Sequence, residues 1–220
     1  MNKNNRISPE KLLKRFTTKR FNINSLHLIS TPQISDAMKK LNLENHSLKW
    51  IKPRTDNKLY GSAITVKTDS SDWGTVVKAI EMADKGQVIV IYAENDDQAL
   101  WGELTSKMAQ IKGIAGTVVL GASRDLSAIK SLNYPLFSLR IVPNAGEPLN
   151  EGEINVTITF EGITIEPGDI IIGDDCGVLV IPKSKFDDVM KQTFIIKNTE
   201  KEILNKIEKG YSLFDILGLS

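Results

Sequence analysis

Residues 101–125 read WGELTSKMAQIKGIAGTVVLGASRD, and this order of residue types predicts a loop, a helix, a turn, a buried strand and a second turn. Gly102-Glu103-Leu104-Thr105 opens the helix, and Lys112-Gly113 closes it, because glycine adopts the left-handed conformation that ends helices. The apolar run from Ile114 to Leu120 has strand length and is bounded by glycines, which predicts a buried strand. Gly121-Ala-Ser-Arg-Asp125 then presents a cation and a carboxylate side by side at the carboxyl end of that strand. Near a helix N-terminus, such a pair suits a small anionic ligand and a metal ion.

Outward from this stretch the periodicities alternate. Toward the N-terminus, residues 87–92 predict a buried strand, residues 73–83 a helix with Val76, Val77, Ile80 and Ala83 on one face, and residues 61–67 a strand. Residues 33–41 predict a helix whose apolar stripe is Ile34, Ala37, Met38 and Leu41, with Thr31 as N-cap and Pro32 in the first turn. Ser8-Pro9-Glu10 starts an amphipathic basic segment carrying Leu12, Leu13 and Phe16. Toward the C-terminus, residues 133–138 predict a short strand, residues 155–160 an alternating half-buried strand, and Glu161-Gly162 a hairpin into residues 163–165. Glu166-Pro-Gly-Asp169 is a turn; residues 170–172 and 178–181 are strands around Gly173-Asp-Asp-Cys-Gly177. Beyond Pro182 the chain predicts helices over 184–192 and 195–209, ended by Gly210, with a mixed-charge solvated face. Strands alternating with helices, then a hairpin-rich half, predict an α/β domain with a mixed sheet flanked by N- and C-terminal helices. The chain lacks repeats, low-complexity segments and Gly/Pro-rich linkers, so a single domain over 1–220 is expected.

Composition narrows the function classes. At 220 residues, 41% hydrophobic and 25% charged, the chain has the make-up of an ordinary globular protein. A net charge of +1 from 28 basic and 27 acidic residues gives no electrostatic reason to expect nucleic acid as a partner. The apolar runs 88–92 and 170–172 are far shorter than a membrane span, and residues 1–20 lack the apolar core of a secretory signal. A cytoplasmic location with no membrane partner is therefore expected. The one cysteine, Cys176, cannot form an internal disulfide and is read as a small buried or turn residue.

The candidate chemistry concentrates in the opening stretch. The first amides of a helix have no intrahelical acceptors and carry positive potential, so Gly102 to Thr105 form a ready carboxylate site. Glu103 also fits a plain role, an acid complementing the helix dipole. Arg124 offers a planar fork for carboxylate or keto oxygens, and Asp125 a hard oxygen for Mg²⁺. Asp125 equally fits the N-cap of a helix over 126–132, which leaves a structural and a functional reading open. His27 and His46 lie in no metal-ligand spacing. Gly113-Ile-Ala-Gly116 is too short for a phosphate or dinucleotide loop, and no serine sits in a nucleophile elbow. Asp96-Asp97 and Asp174-Asp175 are read as turn residues.

Taken in order, several segments resemble the RraA-like family, which includes the 4-hydroxy-4-methyl-2-oxoglutarate and 4-carboxy-4-hydroxy-2-oxoadipate aldolases. The segments are Ser30-Thr-Pro-Gln-Ile-Ser-Asp-Ala37, Leu59-Tyr-Gly-Ser-Ala-Ile-Thr-Val66, Ala99-Leu-Trp-Gly-Glu-Leu104, Gly113-Ile-Ala-Gly-Thr-Val-Val119, Gly121-Ala-Ser-Arg-Asp125, Tyr134-Pro-Leu-Phe137 and the run from Ile165 to Pro182. The resemblance implies a three-layer β/β/α swivelling-domain-like fold, here with an N-terminal helical extension over 1–27 and C-terminal helices over 183–220. It implies a homotrimer or hexamer with sites between subunits. It also implies a metal-dependent class II pyruvate aldolase that acts on a small 2-oxo acid, often with oxaloacetate decarboxylase activity.

Within that resemblance, Asp125 ligates Mg²⁺ or Mn²⁺, Arg124 holds the pyruvyl keto oxygen, and the amides of Gly102, Glu103, Leu104 and Thr105 cradle the pyruvyl carboxylate. Glu103 holds water on the metal, and such water serves as the base for the C4 hydroxyl. Asp36 and Glu200, with Glu202 as the alternative to the latter, match the acidic residues that a neighbouring subunit contributes. Leu120 stands where many members carry Asp or Asn, and the loop 94–98 is acidic and lacks the usual glycines. These departures, with residues 50–57, bear on the choice of substrate. The family also contains non-catalytic ribonuclease-inhibiting regulators, which resemble a shorter form without long C-terminal helices.

Overall fold

The computed structural model describes residues 21–44 and 46–219; the segment around Leu12, Leu13 and Phe16 lies outside them. In chain order the elements begin with a 3-10 turn Ile23–Leu28, α1 (Thr31–Lys40), β1 (Lys52–Pro53), β2 (Leu59–Thr68), α2 (Gly74–Met82), β3 (Val88–Ala93) and β4 (Ala99–Trp101). Next come α3 (Glu103–Lys112), β5 (Gly116–Ser123), α4 (Leu126–Leu132), β6 (Leu136–Ile141), β7 (Glu153–Ile154), β8 (Ile158–Phe160) and β9 (Ile163–Ile165). The chain finishes with β10 (Ile170–Asp174), β11 (Gly177–Ile181), a 3-10 turn Lys183–Lys185, α5 (Phe186–Glu208) and α6 (Leu213–Leu217). It divides into two compact units, one of residues 46–186 and one of residues 1–45 and 187–220.

The unit of residues 46–186 is built on a mixed sheet in the order β1-β6-β5-β3-β2-β10-β11, with β4 added to β5 and β7 to β2. Its centre is parallel: β2, β3, β5 and β6 run the same way, in registers such as Ile64↔Ile89, Ile89↔Thr117 and Val118↔Phe137. Helices α2 and α4 connect parallel neighbours (β2 to β3, β5 to β6), and α3 lies between the parallel pair β4 and β5, as crossovers require. β10 and β11 close the other side antiparallel. The sheet is nearly closed because one segment bridges its two edges. Residues 46–48 bond to β11, with Val180 N donating to His46 O and Leu48 N to Val178 O, both at 3.0 Å. The chain then continues into β1, which pairs with β6 at the opposite edge.

Two apolar cores lie on the two faces. One face packs Ile64, Val66, Ile89 and Ile91 with Val76 and Ile80 of α2, Ala109 of α3 and Ile129 of α4. The other packs Ala63, Val88, Val90, Val118, Phe137 and Ile171 with Ile158 and Ile165 of the β8–β9 hairpin. That is why β5 is buried at every position rather than alternating. Each fully buried Ile, Val or Phe contributes about 1.5–3 kcal/mol of transfer free energy, so the continuous apolar runs specify these central strands.

The helical unit follows its sequence pattern with small shifts. α1 starts after Ser30 rather than Thr31, Pro32 lies in its first turn, and Ile34, Ala37 and Met38 are buried. Ser30 N donates to Gln33 Oε1 at 3.2 Å, which satisfies one amide ahead of the helix. The segment before α1 is fastened to α5 at several places. Phe21 N donates to Asp187 Oδ1 (3.0 Å), the Phe21 ring stacks on Phe194 with centroids 5.6 Å apart, and the Lys197 ammonium donates to Leu28 O.

Two expectations need correction. The helices expected over 184–192 and 195–209 are one continuous helix, α5. At the expected break, Thr193 Oγ1 donates to Val189 O one turn back (2.7 Å), so the β-branched residue stays inside the helical ladder. The strand expected over 155–160 is interrupted. Asn155 takes a left-handed φ of 59°, which separates β7 from β8 and defeats strict alternation. The expected hairpin at Glu161-Gly162 is present, with both residues at positive φ, as a tight two-residue turn demands.

Candidate active site

β5 ends at Ser123, so Arg124 and Asp125 stand at the carboxyl end of a central parallel strand, where open α/β sheets place their ligand sites. β4 lies beside β5, and Arg124 N donates to Trp101 O at 2.9 Å. That contact brings the start of α3 against the Arg124-Asp125 turn. Trp101 is 1% exposed, with its indole N–H on Ser106 Oγ (2.7 Å) and its ring stacked on Tyr134. Tyr134 is buried as well; burial pushes its phenol pKa up, and the bond to Thr117 pulls it back only in part. The Gly102 turn therefore rests on a dry, fixed base.

Asp125 resolves its two sequence readings in an unexpected way. It occupies the N-cap position of α4 in a left-handed conformation (φ 58°), yet its side chain makes no capping bond to that helix. Its carboxylate turns instead to the N-terminus of α3, where Glu103 N donates to Oδ2 at 3.1 Å and Arg124 Nε lies 3.5 Å from the same oxygen. A Cβ at Gly102 would fall 2.6 Å from Asp125 Oδ2, so this approach requires glycine. None of the described hydrogen bonds or ion pairs uses Asp125 Oδ1, which leaves one hard oxygen for the cleft.

The amide cradle is smaller than the spacing implies. Gly102 N donates to Thr105 Oγ1 (3.0 Å), and Glu103 N serves Asp125. The amides of Leu104 and Thr105 belong to the first turn, where a helix supplies no acceptor of its own. Gly102, Glu103, Leu104, Thr105, Arg124 and Asp125 line one small cleft of about 70 Å³, with Trp73 and Ala145. The donor set fits Mg²⁺ or Mn²⁺ held by a single carboxylate, because Mg²⁺ keeps several waters and takes one or two protein carboxylates. Among the described residues, the grouping of three ligand-type side chains is elsewhere, at the exposed hairpin Asp174-Asp175-Cys176. There Asp174 Oδ1 accepts from Cys176 N, so the cysteine is an exposed turn residue.

Asp36 and Glu200 come together within the helical unit. They line a cleft with Lys39 and Lys40, and Gln33 Nε2 donates to Glu200 Oε2 at 2.6 Å. The helix register leaves Glu202 exposed and Glu200 half-buried on that cleft.

Three features escaped the sequence reading. Asp72 is 2% exposed and accepts seven hydrogen bonds, from the amides of Gly74, Thr75, Asn150, Glu151 and Gly152 and the hydroxyls of Thr68 and Thr75. Burial raises its pKa, but these donors more than reverse that and hold the carboxyl well below the usual range. Asp72 thereby ties residues 150–152 to the start of α2. An aspartate two residues before a helical glycine is an N-terminal signal that the sequence did carry. The second feature is the wall formed by Trp73 and Ala145, which no local pattern announces. The third is Arg54, whose guanidinium donates to Ser138 Oγ and to the carbonyls of Ser138 and Leu139 at 2.8–2.9 Å. Burial lowers its pKa. Ser138 Oγ in turn bonds Ser123 Oγ (2.8 Å), so this chain of bonds backs the strand end that carries Arg124. In the acidic loop, Asp96 pairs with Arg140 at 2.7 Å.

No helix among the described residues is long and apolar enough to cross a membrane. A family model described as "RraA-like: Aldolase/RraA" matches residues 31–180. A protein of Halalkalibacterium halodurans named "Putative 4-hydroxy-4-methyl-2-oxoglutarate aldolase" is 41% identical over 172 residues, 77% of this chain and 80% of the relative. The crystal structure of an uncharacterized protein from Pseudomonas syringae pv. tomato superposes with a TM-score of 0.79 at 28% identity, covering 88% of this chain and 94% of the other. The RNA-processing inhibitor RraA from Thermus thermophilis matches with a TM-score of 0.62 at 26% identity, covering 68% of this chain and 92% of the inhibitor.

Proposed function

The chain belongs to the RraA-like family, and on that premise we propose that it is a divalent-metal-dependent carbon–carbon lyase releasing pyruvate from a 4-hydroxy-2-oxo acid. The observation that carries this reading is the Asp125 carboxylate, fixed by Glu103 N and Arg124 with one oxygen left to the cleft. Bound there through Asp125, Mg²⁺ or Mn²⁺ supplies Lewis-acid charge that lowers the energy of a developing enolate. Arg124 directs its remaining guanidinium donors at the 2-oxo group, and the first-turn amides of Leu104 and Thr105 receive the substrate carboxylate. The C3–C4 bond breaks as the C4 hydroxyl gives up its proton, C4 becomes a carbonyl, and the electron pair passes to C3 as pyruvate enolate. Glu103, an exposed residue of the cleft lining, is the acidic side chain this unit offers to take up that proton through a water it holds. Protonation at C3 completes pyruvate. Oxaloacetate decarboxylation leaves the same enolate, with CO₂ departing in place of the carbonyl product. In this reading Asp36 and Glu200 complete the site of a neighbouring copy in a trimer or hexamer.

Pyruvate release from 4-hydroxy-4-methyl-2-oxoglutarate and from oxaloacetate, followed by coupled assay with Mg²⁺ and then EDTA, tests the proposal. Turnover should require the metal, vanish in Asp125→Ala and fall about a hundredfold or more in Arg124→Ala. Turnover that survives chelation or the loss of Asp125 refutes it. The likeness to the RNA-processing inhibitor favours a second reading, a non-catalytic regulator that binds a ribonuclease. Inhibition of a ribonuclease by a chain inert toward every 2-oxo acid establishes that reading instead.

A further inference from the structure

Part of the cleft lining is apolar and braced. Trp73 and Ala145 line it together with Leu104, and Arg124 is the single basic side chain in the lining. Trp73 cannot turn its polar edge toward a ligand, because its indole N–H donates to Gly146 O at 2.9 Å and its ring packs on the helix-side core. Ala145 is held as firmly. Ala99 N donates to Asn144 O (2.9 Å), Glu147 N to Ser71 O (2.7 Å) and Trp73 N to Glu147 O (3.1 Å), while Asp72 gathers the amides of residues 150–152. At Gly74 a Cβ would fall 2.6 Å from the Pro148 carbonyl carbon, so the backbone of residues 148–150 lies directly on the start of α2. The wall is therefore preformed, and its chemistry is that of an indole ring and a methyl group.

We propose that Trp73 and Ala145 determine specificity: beside the C5 carboxylate that these substrates share, they receive an uncharged, apolar second substituent at C4 and reject a carboxymethyl one. The proposal rests on the lyase reading for the identity of the ligand. A methyl group at C4 loses water against Trp73 and Ala145 at no electrostatic cost. A carboxymethyl group in its place brings an anion to a wall with no cation of its own, and an unpaired charge against apolar surface is strongly disfavoured. The chain should thus prefer 4-hydroxy-4-methyl-2-oxoglutarate to 4-carboxy-4-hydroxy-2-oxoadipate.

Three analogues without the 4-hydroxyl, and therefore inert to retro-aldol cleavage, isolate this step: 2-oxoglutarate, 4-methyl-2-oxoglutarate and 4-carboxymethyl-2-oxoglutarate. Calorimetric titration of the full chain with Mg²⁺ should find the methyl form bound about fourfold tighter than 2-oxoglutarate, as one buried methyl group predicts. The carboxymethyl form should bind at least about tenfold more weakly than the methyl form. Trp73→Ala should erase the methyl preference, and Ala145→Arg should restore the carboxymethyl form by supplying a cation. The second variant keeps the test open should the first fail to fold. Equal or tighter binding of the carboxymethyl analogue, or a methyl preference unchanged in Trp73→Ala, overturns the proposal. Pyruvate release from the hydroxylated counterparts with the binding order reversed overturns the wall and spares the lyase reading. The expected binding order without any pyruvate release does the opposite, and failure of all three analogues to bind overturns both.

Discussion

Replacing Asp72 by asparagine keeps the shape of the side chain and removes its charge and one acceptor. In the native protein Oδ1 accepts from the amides of Gly74, Thr75 and Asn150, while Oδ2 accepts from the Thr68 and Thr75 hydroxyls and the amides of Glu151 and Gly152. An amide nitrogen in either position faces at least two backbone N–H groups that it cannot serve. The hydroxyls can rotate, but the amides cannot. A hydrogen bond to a charged group contributes about 1.5–3 kcal/mol, so two lost bonds cost about 3–6 kcal/mol. For a chain of this size that lowers Tm by roughly 6–24 °C. The pH dependence has a definite sign. The folded carboxyl titrates below its unfolded value of about 3.9, so its contribution is fully present above that pH and is lost as pH falls toward the folded pKa. Urea titrations of both proteins from pH 3 to 8 should find a constant difference above about pH 5 that shrinks in acid. A difference below about 1 kcal/mol at pH 7, or one that grows on acidification, refutes the hub.

Gly102→Ala should leave Tm within about 2 °C of the parent, because the Cβ meets the movable end of Asp125 rather than backbone. It should nevertheless lower kcat/KM for pyruvate release at least about tenfold by displacing that carboxylate; thermal scans and steady-state kinetics on one preparation check both halves. Tyr134→Phe leaves the Thr117 hydroxyl, which is 0% exposed, without its partner and should cost about 1–2 kcal/mol at pH 7 in a urea titration. Because burial raises the tyrosine pKa in the folded state, the parent protein should lose stability as pH rises past the unfolded value of about 10. The phenylalanine variant should lose less over that range, as alkaline unfolding curves would record.

Much of the fold is legible because its signals are local. The apolar runs at residues 88–91 and 116–120 need no partner to declare a buried strand, and Gly113 ends α3 at a φ of 74° as its residue type predicts. The misreadings occur where a distant contact outweighs a local preference. Thr193 stays helical through its bond to Val189 and the neighbouring Phe21–Phe194 stack. Asn155 leaves the strand pattern at a positive φ, and Thr65 of β2 holds the chain on both sides of it, accepting from Asn155 N at 2.8 Å and donating Oγ1 to Val156 O at 2.6 Å. The site divides in the same way. Gly102-Glu103 and Arg124-Asp125 are recognisable as neighbours of a helix start and a strand end. The Trp73–Ala145 wall joins residues 72 positions apart, and nothing in either segment points to the other.

Residue types and their spacing were enough to give a mixed α/β sheet and the helices that flank it, while the family showed in the order of whole segments. The sheet and helices follow from periodicity and turn chemistry, which act over a few residues. The direction of the Asp125 carboxylate was decided by folding alone. Both an N-cap on its own helix and a contact with the preceding one satisfy the local sequence. The choice fell to the second because β4 pairs with β5 and Gly102 leaves room for Oδ2 beside Glu103 N. A carboxylate takes the most favourable donors that packing brings within reach, and here the hydrogen-bond donor, Glu103 N, lies 22 residues away along the chain.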